Sequence, residues 1–468
     1  MSRLKVWLGA AAAITCLACV GATSAGAAQL KMHSADGLTI VSQRWVNSRL
    51  VHVTVRTPAV PATLGIDVLL PVGYTPLRRF PVLYLFDGPG GSSSDWVAKG
   101  KVQKTIGNNQ VLTVMPDISV GKGGGGWCVN WANGTQSWET FHIDELLPWV
   151  QSNFSTIASR AGRAIGGVSE GGYCALAYAA QYPDLFSSVL SFSGIPDIAS
   201  SPAIAQYSEE IIGSVEALDN DVPVDAIFGS PSTNELFWKA HDPASLLTNL
   251  RWTRMVLLWG SGGQGPLDPL PNPVGSTIES VVNADNTGFQ QLVYTQGGFN
   301  AYFDSYGPGT ASWPYWTRDL QWTIGPLMNS FAAPPAPPAK VTYMSDAARY
   351  TQWGWSVAIT RDAPEFSTLS NAGKGGFSLS GSGSAVVRTP AFYTRGRRYR
   401  VLIRSGSGTK AEILRAARNR TLTVQLTLGP SNVAEEYSPA ATAAGGTHVD
   451  TTKVSISATA AIRRLPRG

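Results

Sequence analysis

The proline-rich run "AAPPAPPAK", residues 332–340, most constrains what this chain can fold into. Proline at that density holds the backbone near polyproline geometry and acts as a semi-rigid spacer, so neither a helix nor a sheet is expected to run through it. The patterns on its two sides differ. Before it, short apolar runs alternate with helical patterns. Val82–Phe86 and residues 111–115 and 255–259 predict buried strands; residues 139–150 ("ETFHIDELLPWV") and 174–182 predict helices. That alternation implies an α/β unit, a mostly parallel sheet with helices on both faces. After the run, "WSVAIT", "GFSLSGSGSAVVRT", "YRVLIR", "TLTVQLTL" and "KVSISAT" vary near period two, with Gly, Ser, Asn and Pro between them. They predict a small all-β unit, sandwich or barrel-like. The expected divisions are a leader at 1–28, an α/β unit at 29–331, the linker at 332–340 and a basic β unit at 341–468.

The leader has the pattern of a secretory signal. Arg3 and Lys5 precede an apolar stretch over residues 6–20, and residues 25–28 are small enough for cleavage. A lipoprotein site at Cys19 is the competing reading. No later apolar run is long enough to span a bilayer, so a secreted or envelope-associated protein is expected. Cys128 and Cys174 lie outside the leader. They either pair in an oxidising compartment or remain as buried thiols.

Charge is uneven. Residues 341–468 hold 17 Lys and Arg against 7 Asp and Glu, whereas the rest holds 19 against 24. A basic tail on an acidic body fits contact with an anionic envelope surface, or simply a solvated face. Nothing resembles a nucleic-acid module. The cysteines and the five histidines lack metal-ligand spacing. "GKGGGG" at 121–126 lacks the lysine–serine ending of a phosphate loop. No metal or other cofactor is therefore expected.

The chemistry centres on "RAIGGVSEGGYCALAYAAQYP", residues 163–183, where Gly167-Val168-Ser169-Glu170-Gly171 fits G-x-S-x-G. An apolar segment precedes the serine and a small-residue helical stretch follows. Glycines on both sides let a strand turn sharply into a helix and leave the Ser169 hydroxyl exposed at the helix N-terminus, where developing negative charge is favoured. The alternative is a structural glycine-rich turn.

Several segments together resemble the exported mycolyltransferases of the antigen 85 type, within the α/β-hydrolase esterases. They are "LYLFDG" with "SSSDW", "SWETF" with "ELLPWVQSN", "GGVSEGG", "HDPASLLTNL" and the long stretch "IESVVNADNTGFQQLVYTQGGFNAYFDSYGPGTASWPYW". The resemblance covers residues from about 50 to 330. It implies an α/β-hydrolase fold in which "HDPASLLTNL" is a helix. It also implies mycolate transfer between trehalose esters or onto cell-wall glycan, by a serine, a glutamate and a histidine. The serine carries over to Ser169 and the glutamate to Glu279. The histidine of the family's G-T-H-S-W pattern falls on Ala311 in Gly309-Thr310-Ala311-Ser312-Trp313. The resemblance also assigns oxyanion donation to the Glu170 N–H and to the position of Pro89, which has no N–H. Gly90 is the neighbour able to supply one. Asp87 and Trp313 match sugar-site residues, although Trp313 equally suits core packing.

A serine hydroxyl needs a base to take its proton and return it to the leaving group. Losing the histidine of such a triad removes about 10⁶-fold of turnover. A lost oxyanion donor removes about 2.7–4 kcal/mol of transition-state stabilisation. His33, His52, His142, His241 and His448 lie away from the loop after the acid, and each reads as an ordinary surface or capping histidine. His241 is placed just before a helix start at Asp242-Pro243. The expectation is an acyltransferase or esterase by descent with impaired or absent catalysis. The alternative is a non-catalytic member binding glycolipid, wall glycan or a matrix protein. A general carboxylesterase would need the same histidine.

Overall fold

The computed structural model describes residues 30–120, 123–219 and 222–459; the leader, Cys19, part of the "GKGGGG" run and the last nine residues lie outside them. Nine strands build the main sheet: β1 (Thr39–Trp45), β2 (Leu50–Arg56), β3 (Thr63–Leu69), β4 (Val82–Phe86), β5 (Leu112–Pro116), β6 (Arg163–Val168), β7 (Ser188–Phe192), β8 (Arg254–Trp259) and β9 (Ala301–Ser305). Their spatial order is β1-β2-β3-β5-β4-β6-β7-β8-β9. β1, β2, β3 and β5 pair antiparallel, and every pairing from β5 onward is parallel. Every residue of β4 to β7 is buried. Their unbroken apolar runs suit parallel strands covered on both faces, where alternation would place polar groups under helices.

This is the expected α/β-hydrolase arrangement. The chain leaves β4 towards β5 on one side and resumes at β6 on the other. The reversal opens a crevice at the carboxyl ends of β4 and β6, where ligands bind in open sheets of this kind. Helices α1 (Glu170–Gln181), α2 (Pro202–Asp219) and α3 (Pro273–Gln296) line it, and α4 (Trp313–Ala332) packs against β7.

Two local expectations change. The helix over 139–150 is present, but Thr140–Leu146 is π-helical before Leu147–Asn153 becomes α. Pro148 lacks the N–H that would close an α-turn back to residue 144, and the widened turn accommodates the loss. "HDPASLLTNL" does not begin a helix. A helix over Glu235–Ala240 ends at His241, turns follow, and a 3₁₀ segment runs over Leu247–Trp252. Asp242 accepts from the Ile198 and Ser245 amides, each at 2.9 Å, so it braces a turn.

After the proline-rich run, two antiparallel sheets face each other. One contains Val341–Ser345, Ser367–Gly373, Gly376–Gly381, Asp450–Ala458, Arg398–Ser405 and Gly408–Arg415, in that spatial order. The other contains Arg349–Gln352, Trp355–Thr360, Ser384–Arg388 and Thr423–Thr427. Trp355, Leu369, Leu379, Val401 and Val424 fill the core between them. This β unit packs against the α/β unit. Asn249 brackets Met344 with two backbone bonds of 2.9 Å, Trp353 N–H donates to Asp184, and Arg160 donates to the Pro335 carbonyl at 3.1 Å. The proline-rich run is thus pinned to the surface it crosses.

Candidate active site

Ser169 stands between β6 and α1 with φ +53° and ψ −122°, a sparsely populated conformation for a residue with a side chain. The surrounding glycines explain how it is held. A Cβ on Gly167 would lie 2.4 Å from the Gly171 carbonyl oxygen, and one on Gly171 would lie 2.1 Å from the Asp87 carbonyl oxygen. Gly171 N–H donates to that same Asp87 oxygen at 2.9 Å. The turn is the sharp elbow that G-x-S-x-G predicts, and it locks the ends of β4 and β6 together.

Ser169 and Glu170 line an apolar cavity of about 290 Å³ with Pro89, Trp127, Ser193 and Ile195. Ile211 and Val215 of α2 form one wall, and Val274, Ile278 and Val281 of α3 form another. No histidine lines it, and among the described residues the Ser169 hydroxyl has no hydrogen-bond partner. The Glu170 amide heads α1 beside Ser169, as an oxyanion donor must. Its carboxylate points elsewhere and accepts from Trp127 N–H at 2.7 Å. Glu216 of α2 accepts from Gly125 N–H and from the Trp127 indole. Two carboxylates therefore clasp the described end of the glycine-rich loop, an arrangement opposed to phosphate binding. Cys128 and Cys174 form a disulfide that ties this loop to α1.

Pro89 faces the cavity beside Ser169 and has no N–H to offer. Gly90 takes φ +62° within a Gly88–Gly91 turn closed by a 3.2 Å hydrogen bond, and it does not line the cavity. Asp87 is 1 % exposed beneath that turn. Among the described residues no other satisfies its carboxylate oxygens. Burial, then the charges of Asp117 and Asp95, hold it well above the usual carboxylate range. Trp313 is half-buried, set edge-on between Trp96 and Trp316 at 5.2 and 5.4 Å. Neither Asp87 nor Trp313 lines the cavity.

Glu279 of α3 is fully buried. Its Oε1 accepts from the Ser193 hydroxyl at 2.9 Å and from Gly260 N–H at 2.5 Å. Ser193 accepts in turn from the Trp316 indole at 3.0 Å. Glu279 Oε2 is buried with no hydrogen-bond partner among the described residues. Burial is the main cause that lifts this carboxyl to about 7, against the lowering effect of its two donors. Ser193 and the polar role of Trp316 were not visible in sequence, because an isolated serine after a strand and one tryptophan among 15 carry no spacing signal.

Ala311 is partly buried on the loop before α4. Its N–H donates to the Gly275 carbonyl at 3.1 Å, which ties the loop to the start of α3, the helix that bears Glu279. The loop is therefore held, and only the side chain is short. None of the five histidines lines the cavity beside Ser169. His142 is buried, contrary to the surface or capping reading, because it fills a packed position with both ring nitrogens engaged; His241 is buried too, but it caps the C-terminus of the helix Glu235–Ala240. His142 bonds Tyr178 and the Asp117 carbonyl, both at 3.0 Å, and burial lowers it to about 4. The Asp117 carbonyl can only accept, so Nε2 carries the proton and Nδ1 accepts from Tyr178. His241 bonds the Phe237 carbonyl at 2.7 Å and lies 3.9 Å from Glu139. His52 pairs with Asp67 at 2.8 Å.

An Esterase family model matches residues 57–324. The chain is 33 % identical over 267 residues to Esterase Rv1288 of Mycobacterium tuberculosis, spanning 56 % of each chain. It is 30 % identical over 252 residues to the diacylglycerol acyltransferase/mycolyltransferase Ag85A of Mycobacterium leprae, covering 51 % of this chain and 72 % of that one. The crystal structure of Mycobacterium tuberculosis MPT51 aligns with a TM-score of 0.49 at 23 % identity, over 59 % of this chain and 97 % of that one. With more than half its length matched by the family model, the chain belongs to the esterase family that includes the antigen 85-type mycolyltransferases.

Proposed function

We propose that this protein keeps the family's acyl-ester site without its proton relay, and acts at the cell envelope or outside the cell as a binding member with impaired or absent acyl transfer. One observation carries the reading. Among the described residues the Ser169 hydroxyl has no hydrogen-bond partner, while Glu279 presents a buried, unmet oxygen. These are the two ends of a triad whose middle member is missing. Attack by Oγ on an ester carbonyl requires its proton to leave as the bond forms. Among the described residues no base lies against it to accept that proton. The tetrahedral oxyanion would find the Glu170 N–H but no donor from Pro89, unless Gly90 turns inward.

The apolar cavity suits the acyl chain of a lipid ester, with the carbonyl at Ser169. A trehalose mycolate-type glycolipid or a wall glycan is the ligand class the family membership favours. Sugar contact by Asp87 would require the Gly88–Gly91 turn to open. Trp313 would offer its ring beside Lys99, 6.0 Å from the ring centre.

A serine-directed fluorophosphonate probe tests this directly. The natural protein should label slowly or not at all, while Ala311→His should label Ser169 and hydrolyse a medium-chain ester. Rapid stoichiometric labelling of Ser169 in the natural protein would overturn the proposal. The competing reading, an acyltransferase with surviving turnover, draws on the intact elbow and cavity. It predicts ester hydrolysis that disappears in Ser169→Ala, whereas the binding reading predicts equal glycolipid affinity in that variant.

A further inference from the structure

The excess positive charge of the C-terminal region is not spread evenly over its two sheets. In the six-stranded sheet, Arg398, Arg400 and Arg404 project outward from the strand Arg398–Ser405. Directly opposed residues in antiparallel strands share a face. Arg415 lies opposite Arg398 on one neighbouring strand, and Lys453 lies opposite Arg404 on the other. The remaining exposed positions of this face on those three strands are Leu402, Thr409, Ala411, Ile413, Thr451, Ser455 and Ser457, with no acid among them. Glu412 sits on the other side, beside Lys410. Among the described residues, Arg398, Arg400, Arg404 and Lys453 pair with no carboxylate. The outer face of the four-stranded sheet carries only Arg349 and Arg388 among Ser, Thr, Val, Ala and Gln.

Three features identify the partner. The cations occupy two dimensions of an antiparallel face, and Arg398 to Arg404 span about 20 Å along one strand. A plane of charge matches a planar array of anions better than a single polymer chain. Ile413, 53 % exposed, stands opposite Arg400 amid the cations, where an apolar side chain suits a lipid interface and not a hydrated polyelectrolyte. Beside Lys453, a depression of about 380 Å³ is also lined by Lys340, Lys374, Ser378 and Ser455. Its donors suit a phosphate group, and guanidinium forks bind phosphate bidentately. The strands Arg398–Ser405 and Gly408–Arg415 lie at the opposite end of the sheet from Val341–Ser345, the strand held against the α/β unit through Met344. The α/β unit therefore leaves them open.

We propose that this face docks on an anionic phospholipid surface and holds the esterase-family unit beside a membrane. The test uses the full chain in co-sedimentation with phosphatidylglycerol–phosphatidylcholine vesicles and with phosphatidylcholine vesicles alone. The protein should pellet with the anionic vesicles only, and less as salt rises. The triple variant Arg398→Gln/Arg400→Gln/Arg404→Gln should partition on the order of a hundredfold more weakly, at roughly fivefold per cation. Arg349→Gln/Arg388→Gln, on the opposite face, should bind as the natural protein does. All five side chains are exposed, and unchanged melting temperatures confirm intact folding. Failure to bind anionic vesicles, equal binding by the triple variant, or binding to soluble polyphosphate in preference to vesicles would each overturn the proposal.

Discussion

Glu279 is the buried carboxyl of the candidate site, and its titration can be tested directly. Its folded pKa is about 7 against an ordinary 4.5, because burial outweighs the donors Gly260 and Ser193. A raised carboxylate pKa means that the folded state holds the proton more tightly. Its effect on stability is therefore unfavourable above the unfolded value, growing as pH rises from about 4.5 to about 7 and constant beyond. Glu279→Gln removes the charge and keeps the shape. The variant should match the natural protein near pH 5 and exceed it at pH 8, by at most about 3 kcal/mol. Thermal melts across that range check it, and a variant that loses stability relative to the natural protein as pH rises would contradict it. Asp87, Asp242, Asp285 and Asp319 are raised by burial too, so only the difference between the two proteins isolates position 279. Ala311→His would add the donor that Oε2 lacks and should reduce this pH effect as it restores Ser169 reactivity.

Among the elements, the strand–turn–helix from β6 to α1 was the most legible in sequence. Its glycines have one physical reason to be there, since the backbone closes on them to within van der Waals contact. Gly171→Ala would force a Cβ to 2.1 Å from a backbone oxygen that already accepts a hydrogen bond. Backbone cannot rotate away as a side chain can, so the elbow must open. A loss of at least about 3 kcal/mol is expected, with Ser169 displaced even where folding survives; chemical denaturation measures the first and probe labelling in an Ala311→His background the second. The strands of the β unit were only partly legible. Those with alternating burial, such as Trp355–Thr360 and Thr423–Thr427, follow the period-two pattern. Gly408–Arg415 does not, because an edge strand exposed along most of its length needs no apolar face and is held by pairing with Arg398–Ser405. The same is true of β1, whose residues are all at least partly exposed.

On the scale of the whole molecule, the proline-rich run marks a change of architecture without separating the two parts. Hydrogen bonds from Asn249, Asp184, Gln181 and Arg160 cross to the β unit or to the run itself. Asn249 is 1 % exposed and makes two of them. Asn249→Ala should loosen the junction by about 1–3 kcal/mol, since it strands both the N–H and the carbonyl of Met344. Hydrogen exchange at residues 341–353 should rise while the core strands β4 to β7 stay protected. Equal protection in both proteins would show that the junction does not depend on this residue.

The local chemistry needed no tertiary structure. The elbow serine, the alanine where the resemblance places a histidine, the proline without an N–H and the change from α/β to β patterning are read from residue identity and short-range periodicity. What they meet in space was decided by the fold. Glu279 and Ser193 lie 86 residues apart, and only the closing of α3 and α4 over β7 and β8 joins them to Trp316. His142 was read as an ordinary surface or capping residue because nothing near it in the chain signals the rings that bury it. Cys128 and Cys174 could be counted but not paired. Sequence spacing sets which groups a segment carries, whereas distance between segments depends on packing of the whole core, and catalysis depends on distance.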